Sequence, residues 1–413
     1  MRGSYSTSRH HRIAQRREVF RKRRRNSLVG ATIIVILFIA LISASLSSGI
    51  AKPIFRTNVS LPQSYTVSAV SSRIQWPPNP IESAVGVVGS GVLATSGNVT
   101  PKPLASVTKL MTAYIILKDF PMAVGSNGFN YTVTMRDQTE WAKDVSQGDS
   151  ESRVAAGEVL NERTLLTYLL IPSADNVAVI LARIDAKTVA EFVTKMNVQA
   201  KVLGMYNTTY LDPSGLNPGD VSTAYDQTVL AMKLIQNPVV RQIVNQPSIN
   251  FPVSGWQQST NPMLGVDGTF GIKTGFTPQA GGVLVFATPF DYQGTSLTIV
   301  GVMIGLAGTY SILKQLAHYG QLLFQSVTAG LTKVNLPSQN VIGQIAEIGG
   351  SNLKFNLDVH GISTYLESGT QITYSKKIFH LNESSMRQGS VVGTLYVSAG
   401  NLTTFRFKIY IGQ

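Results

Sequence analysis

The 413 residues carry a formal charge of +13 and contain no cysteine. Disulfides, thiol catalysis and cysteine-bound zinc or iron–sulfur centres are therefore excluded. The five histidines (His10, His11, His318, His360 and His380) show no ligand spacing beyond one adjacent pair, so neither a metal nor a bound cofactor is expected.

Residues 1–26 hold 10 of the 35 Lys+Arg but only 1 of the 22 Asp+Glu, which locates most of the excess charge. Such a tail suits nucleic acid or a membrane surface, and the next stretch decides between them. Leu28 to Leu46 is apolar and lies inside an uncharged run from Asn26 to Ala51. At 1.5 Å per residue, about 20 such residues cross a bilayer core. The arginines then read as a positive-inside signal. The expectation is a basic cytoplasmic tail (1–26), a transmembrane anchor (27–50) and an extracytoplasmic remainder, with no nucleic-acid partner. A cleaved signal peptide usually has a shorter apolar core of about 7–15 residues, so an uncleaved anchor is favoured.

Residues 51–79 are rich in Ser, Thr, Val and Pro and read as an extended linker. Ala84 to Leu93 suits a single buried strand. Pro101 and Pro103 then precede Leu104 to Lys118, whose apolar run from Leu110 predicts a helix buried on most sides. Ser106 and Lys109, three apart, share one face near its start. Burial disfavours a lysine's charged form, and a neutral lysine can activate a serine hydroxyl, a poor nucleophile alone. The spacing alone is weak, because Ser311–Lys314 and Ser351–Lys354 share it. Only Ser106 opens a long apolar helix.

Within Gly157 to Arg183 two apolar runs predict two helices joined by Pro172-Ser173-Ala174-Asp175-Asn176, a helix cap or a turn offering a hydroxyl and an amide to a cleft. Leu211 to Leu216 is a turn sequence, and Lys273-Thr274-Gly275 opens a strand series as an edge strand facing the helices. Helices with antiparallel strands predict an α+β domain over 80–332. Residues 336–413 alternate like half-buried strands, with Ala399-Gly400-Asn401 as a hairpin turn, and predict a small all-β domain.

Ser-x-x-Lys, a Ser-led turn and Lys-Thr-Gly, in that order, are the elements of penicillin-recognising serine enzymes. ASVTKLMTA around Ser106, LLIPSADNVA around Ser173, LDPSGLN at 211–217 and GVDGTFGIKTGFTPQAGG at 265–282 together resemble the serine-type D-Ala-D-Ala carboxypeptidases, the low-molecular-mass penicillin-binding proteins of peptidase family S11. The resemblance covers residues 80 to about 325 and, through MRQGSVVGTLYV, reaches into a C-terminal β-sandwich-like domain. It implies a β-lactamase/transpeptidase-like fold. It also implies removal of the terminal D-alanine from peptidoglycan stem pentapeptides through an acyl-enzyme, and covalent inhibition by β-lactams. Ser106 would be the nucleophile, Lys109 its base and Ser173 a proton relay. Lys273, Thr274, Gly275 and Phe276 would bind substrate, with the N–H groups of Ser106 and Phe276 as an oxyanion hole.

One position departs from the family pattern. The second motif is usually Ser-x-Asn, whereas this chain has Ser173-Ala174-Asp175 with Asn176 one place later. Two arrangements follow: Asp175 points away and Asn176 supplies the cleft amide, or Asp175 faces the lysines and activity peaks at higher pH. The alternatives are a D,D-endopeptidase or β-lactamase on the same fold, or an inactive wall-binding scaffold. Glu158 and Asn161 superficially match a deacylating glutamate motif but precede Ser173, and an exposed helix-start glutamate is the expected reading.

Overall fold

The computed structural model describes residues 54–61, 64–67, 74–145, 150–309, 311–336, 342–348, 357–358, 362–379, 389–401 and 403–411. The expected tail and anchor, residues 1–26 and 27–50, lie outside the described residues, as does Ser351. Among those described, no helix is long and apolar enough to cross a membrane.

Strands β1 (Ile54–Ser60) and β2 (Tyr65–Thr66) precede a hairpin of β3 (Glu82–Val87) and β4 (Gly91–Ser96). The short β5 (Lys102–Pro103) leads into a 3-10 turn, Ala105–Thr108, and then α1 (Lys109–Asp119). Next come β6 (Asn130–Thr132), α2 (Met135–Val145), β7 (Val159–Asn161), α3 (Glu162–Leu170), α4 (Asp175–Asp185) and α5 (Val189–Val202). After β8 (Val221–Ser222) follow α6 (Ala224–Leu234), α7 (Pro238–Val244) and a hairpin of β9 (Ser248–Phe251) and β10 (Gly255–Gln258). Strands β11 (Ile272–Thr277), β12 (Gly281–Tyr292) and β13 (Thr295–Leu306) end at α8 (Ile312–Gly330). The carboxyl-terminal part holds β14 (Leu331–Leu336), β15 (Ile342–Ile348), β16 (Leu357–Asp358), β17 (Ile362–Glu367), β18 (Gln371–Ile378), β19 (Val391–Ala399) and β20 (Thr403–Ile411).

The central sheet is antiparallel with order β11-β12-β13-β3-β4, so the Lys-Thr-Gly strand is an edge, as expected. Alternate side chains explain why β12 is apolar from Val283 to Ala287. Val283, Val285 and Ala287 join the helical core, while Leu284 and Phe286 join a second core against α8. Antiparallel sheets often solvate one face; here both are covered. Leu110, Met111, Ile115 and Ile116 of α1 are fully buried, making it the axis of the helical core.

The predicted single strand over Ala84 to Leu93 is in fact the β3–β4 hairpin, because Gly89-Ser90-Gly91 reverses the chain. The linker expectation also meets a difference. Strand β1 pairs antiparallel with β15, and β2 adds to β18 at the edge of the carboxyl-terminal sheet, order β16-β20-β19-β18-β2. Sequence pattern alone could not show this, since the partner strands lie at the other end of the chain. The β19–β20 hairpin turns at Ala399–Thr403, and Phe407 and Ile409 face a small separate core. Strand β14 continues directly from α8 and pairs with β17, so residues 332–336 lie within one strand.

Candidate active site

The site forms where three pieces of backbone approach unusually closely. Ala105 holds a left-handed φ of 48°, a conformation costing a non-glycine residue about 1–3 kcal/mol unless its surroundings fix it. Two glycines permit that fixing. A Cβ at Gly215 would lie 1.8 Å from the Ala105 carbonyl oxygen, and one at Gly275 would lie 3.0 Å from the Ser106 nitrogen. The turn 211–217 and strand β11 can therefore close on the Ser106 backbone from opposite sides.

Lys109 is fully buried, and each of its three donors has a partner. Its Nζ donates to Ser106 Oγ at 2.8 Å, to the Ser214 carbonyl at 2.9 Å and to the Asp175 carboxylate. The Ser214 carbonyl is aimed by its own turn, in which the Asp212 carboxylate accepts from the N–H groups of Ser214, Gly215 and Asn217 at 2.6, 2.6 and 2.5 Å. Asp220 accepts from the N–H of Asp212 at 3.1 Å, and burial with the nearby Asp212 charge pushes its carboxyl up to about 7.

The second motif resolves as the sequence alone could not. Asp175 is the first residue of α4 and faces Lys109, while its other oxygen accepts from the Ser150 N–H at 3.0 Å. Asn176, one step round the helix, turns away. Its side chain donates to the Ser152 carbonyl at 2.8 Å and accepts from the Ser152 N–H at 3.3 Å. An Asn176 amide in the cleft is thereby corrected: roughly 100° separates successive helical residues, so 175 and 176 cannot both face the lysine. Ser173 has a left-handed φ of 70°, and its hydroxyl is buried with no partner among the described residues.

Lys273 stands across the cleft on β11, buried, and donates to the Thr274 carbonyl at 2.9 Å. Burial first, and the Lys109 charge second, hold its ammonium well below the usual lysine range, against the pull of Asp175. Thr274 Oγ1 bonds to Thr260 Oγ1 at 2.8 Å, and the Thr260 N–H donates to the Ile171 carbonyl at 3.3 Å, tying β11 to the Ser173 turn. Phe276 is half-buried at the end of the same strand. Ser106, Lys109, Asp175, Lys273, Thr274 and Gly275 are thus brought together, and Ser173 lies in the turn that Thr260 ties to β11; Asn176 faces away.

Ser311 and Lys314 are exposed at the start of α8, away from these groups. Glu158 is a half-buried turn residue accepting from the Ala155 N–H at 3.2 Å, not an exposed helix start, and Asn161 caps α3. The roles of Ser214, Ser150, Glu151 and Thr260 went unread in the sequence. The only signal was the Asp-Pro-Ser-Gly turn, whose carbonyl accepting from Lys109 has no local signature. Among the described residues, no group of three or more His, Asp or Glu could hold a metal ion.

A family model described as D-alanyl-D-alanine carboxypeptidase matches residues 85–303. A D-alanyl-D-alanine endopeptidase of Pseudomonas aeruginosa is 32% identical over 213 residues, 48% of this chain and 63% of that protein. The D-alanyl-D-alanine carboxypeptidase DacD of Escherichia coli is 30% identical over 247 residues, 58% of this chain and 62% of that protein. The chain thus spans less than two thirds of the length of these relatives. Penicillin binding protein 5 from Haemophilus influenzae superposes with a TM-score of 0.62 at 19% identity, covering 86% of this chain and 100% of that one. The Streptomyces K15 DD-transpeptidase superposes at 0.53 with 24% identity, covering 61% and 98%. These likenesses establish a mixed α/β penicillin-binding/transpeptidase fold.

Proposed function

The chain belongs to the D-alanyl-D-alanine carboxypeptidase family, and on that premise we propose that it removes the terminal D-alanine from peptidoglycan stem pentapeptides. The observation that carries this reading is the 2.8 Å bond from Lys109 to the Ser106 hydroxyl, in a buried cleft shared with Lys273. Neutral Lys109 accepts the Ser106 proton as the Oγ–carbon bond forms at the carbonyl between the two D-alanines. The N–H groups of Ser106 and Phe276 receive the oxyanion, a contribution of about 3 kcal/mol per donor. The proton passes through the Ser173 hydroxyl to the leaving nitrogen as the C–N bond breaks. Water then attacks the ester, releases the shortened peptide and returns a proton to Ser106. Lys273 and Thr274 hold the substrate's terminal carboxylate.

A β-lactam would acylate Ser106 by the same first step and remain bound. D,D-endopeptidase activity is the second reading, supported by the likeness to the D-alanyl-D-alanine endopeptidase of Pseudomonas aeruginosa. The apolar run Leu28 to Leu46 behind ten basic residues supports a single-pass membrane anchor, with the cytoplasmic tail at 1–26 and the catalytic domain outside.

Mass spectrometry of the penicillin-treated protein tests the reaction. An adduct on the Ser106 peptide, together with D-alanine release from a pentapeptide, supports it. An adduct on Ser106 with cleavage confined to cross-linked dimers would favour the endopeptidase. No adduct and no release would leave only a scaffold. Retention of the full chain in the membrane fraction through an alkaline wash tests the anchor, and full release overturns it.

A further inference from the structure

Residues 150–152 lie along the first turn of α4 and bond to it at every residue. Asp175 N–H donates to the Ser150 carbonyl at 2.7 Å, and the Asp175 carboxylate accepts from the Ser150 N–H at 3.0 Å. The Asn176 side chain clasps the Ser152 backbone. Between these contacts, the Asn176 N–H donates to Glu151 Oε2 at 3.0 Å. The other Glu151 oxygen is buried and has no partner among the described residues. An ionised carboxylate with one buried, unpaired oxygen is costly, and a second carboxylate, Asp175, stands beside it. The groups facing Glu151 are Asp175 on α4, Asp144 on α2 and Lys109 on α1, two negative and one positive.

We propose that Glu151 is a positioning residue of the active site, whose carboxyl group, seated on the first turn of α4, sets how firmly Asp175 holds the Lys109 proton. This rests on the acylation reading above. With Glu151 neutral, Asp175 alone draws on the Lys109 proton. When Glu151 ionises, a second negative charge adds to that pull, and the base gives up its proton less readily. Burial and the Asp175 charge push the Glu151 carboxyl up to about 8, so the neutral form prevails near neutrality and the change falls within a measurable window. Glu151 thus restrains acylation on the alkaline side, where the base would otherwise be freed.

Labelled-penicillin acylation rates of the full chain and of Glu151→Gln, measured from pH 6 to pH 10, decide the matter. Glutamine keeps the acceptor for the Asn176 N–H but cannot ionise. The two profiles should run together below about pH 7 and separate above about pH 8, the variant being about threefold or more faster at pH 9. Parallel profiles across the whole range, at equal or reduced rate, overturn the proposal and leave Glu151 as a helix cap. Should Glu151→Gln not fold, Glu151→Ala reads the same coupling, since it also removes the charge and leaves Asp175 in place. Its profile should lose the wild-type restraint above about pH 8, and a profile parallel to the wild type overturns the proposal. No acylation of the wild type would overturn both this and the function on which it rests.

Discussion

The two walls of the cleft each bury a lysine, and they hold it by opposite means. On the helical wall Lys109 is surrounded by acceptors: a hydroxyl, a carbonyl and the Asp175 carboxylate, itself fixed by Ser150. On the sheet wall Lys273 meets one backbone carbonyl, and burial pushes its ammonium down. Lys109 already has a carboxylate partner, whereas Lys273 bonds only to a backbone carbonyl among the described residues and is open to an anion. The helical wall therefore suits proton transfer, and the sheet wall suits a carboxylate arriving with the substrate.

The largest effect should come from the helical wall. Ser106→Ala should abolish penicillin labelling while the far-ultraviolet circular dichroism is unchanged. Lys109→Arg should be nearly as damaging as Lys109→Ala, losing about 10²-fold or more in acylation, because arginine cannot be a neutral base. An arginine variant retaining a tenth of the rate would erase the contrast between the walls.

On the sheet wall, Lys273→Ala should lower kcat/KM about ten- to hundredfold for peptides ending in a free carboxylate, matching about 1.5–3 kcal/mol for a charge-assisted hydrogen bond. The same peptides amidated at the carboxyl end should respond little to the change. Equal losses for both would assign Lys273 to the proton chemistry instead.

Asp175→Asn sharpens the comparison further by making the helical wall less negative. The acidic limb of the acylation profile should move to lower pH, since a carboxylate favours the protonated form of a nearby base. Asn176→Ala should leave that limb in place and instead lower thermal stability, because its amide clasps Ser152. Reversed sensitivities would contradict the placement of the two residues.

The smallest effect concerns Glu162, which opens α3 with one buried oxygen unpaired among the described residues. Burial pushes its carboxyl from 4.5 up to about 7. The folded state then binds the proton more tightly than the unfolded one. Its contribution to stability is fully present below pH 4.5 and lost as pH rises to about 7. Glu162→Gln should flatten the melting temperature across that window, as followed by circular dichroism. An unchanged slope would assign the pH dependence to Asp220 or Glu151.

Much of this arrangement was legible because its signals are local. The Ser106–Lys109 pair needs its spacing and the long apolar run that follows, the Lys-Thr-Gly edge strand needs its apolar successors, and the Ala399–Asn401 turn shows as a polar break between alternating runs. The phase of α4 was not legible, because whether residue 175 or 176 faces the cleft depends on where the helix begins, and Ala174 caps it without a side-chain bond. Glu151 escaped because its neighbours Asp175 and Asn176 lie beyond β7 and α3. The fate of the amino-terminal strands escaped for the same reason at larger scale.

Those strands impose an order in time. Ile54 pairs with Ile348 and Tyr65 with Ile372, so the first strands described in the chain find partners only among its last. At roughly 5–20 residues per second, synthesis separates each strand from its partner by tens of seconds. Throughout that interval their backbone donors and acceptors are open to any passing strand. Contacts this distant in sequence also slow folding, because the loop must close before any pairing is gained. Of the pairings described, these two strands wait longest for their partners, and that wait is when they are most exposed to mispairing.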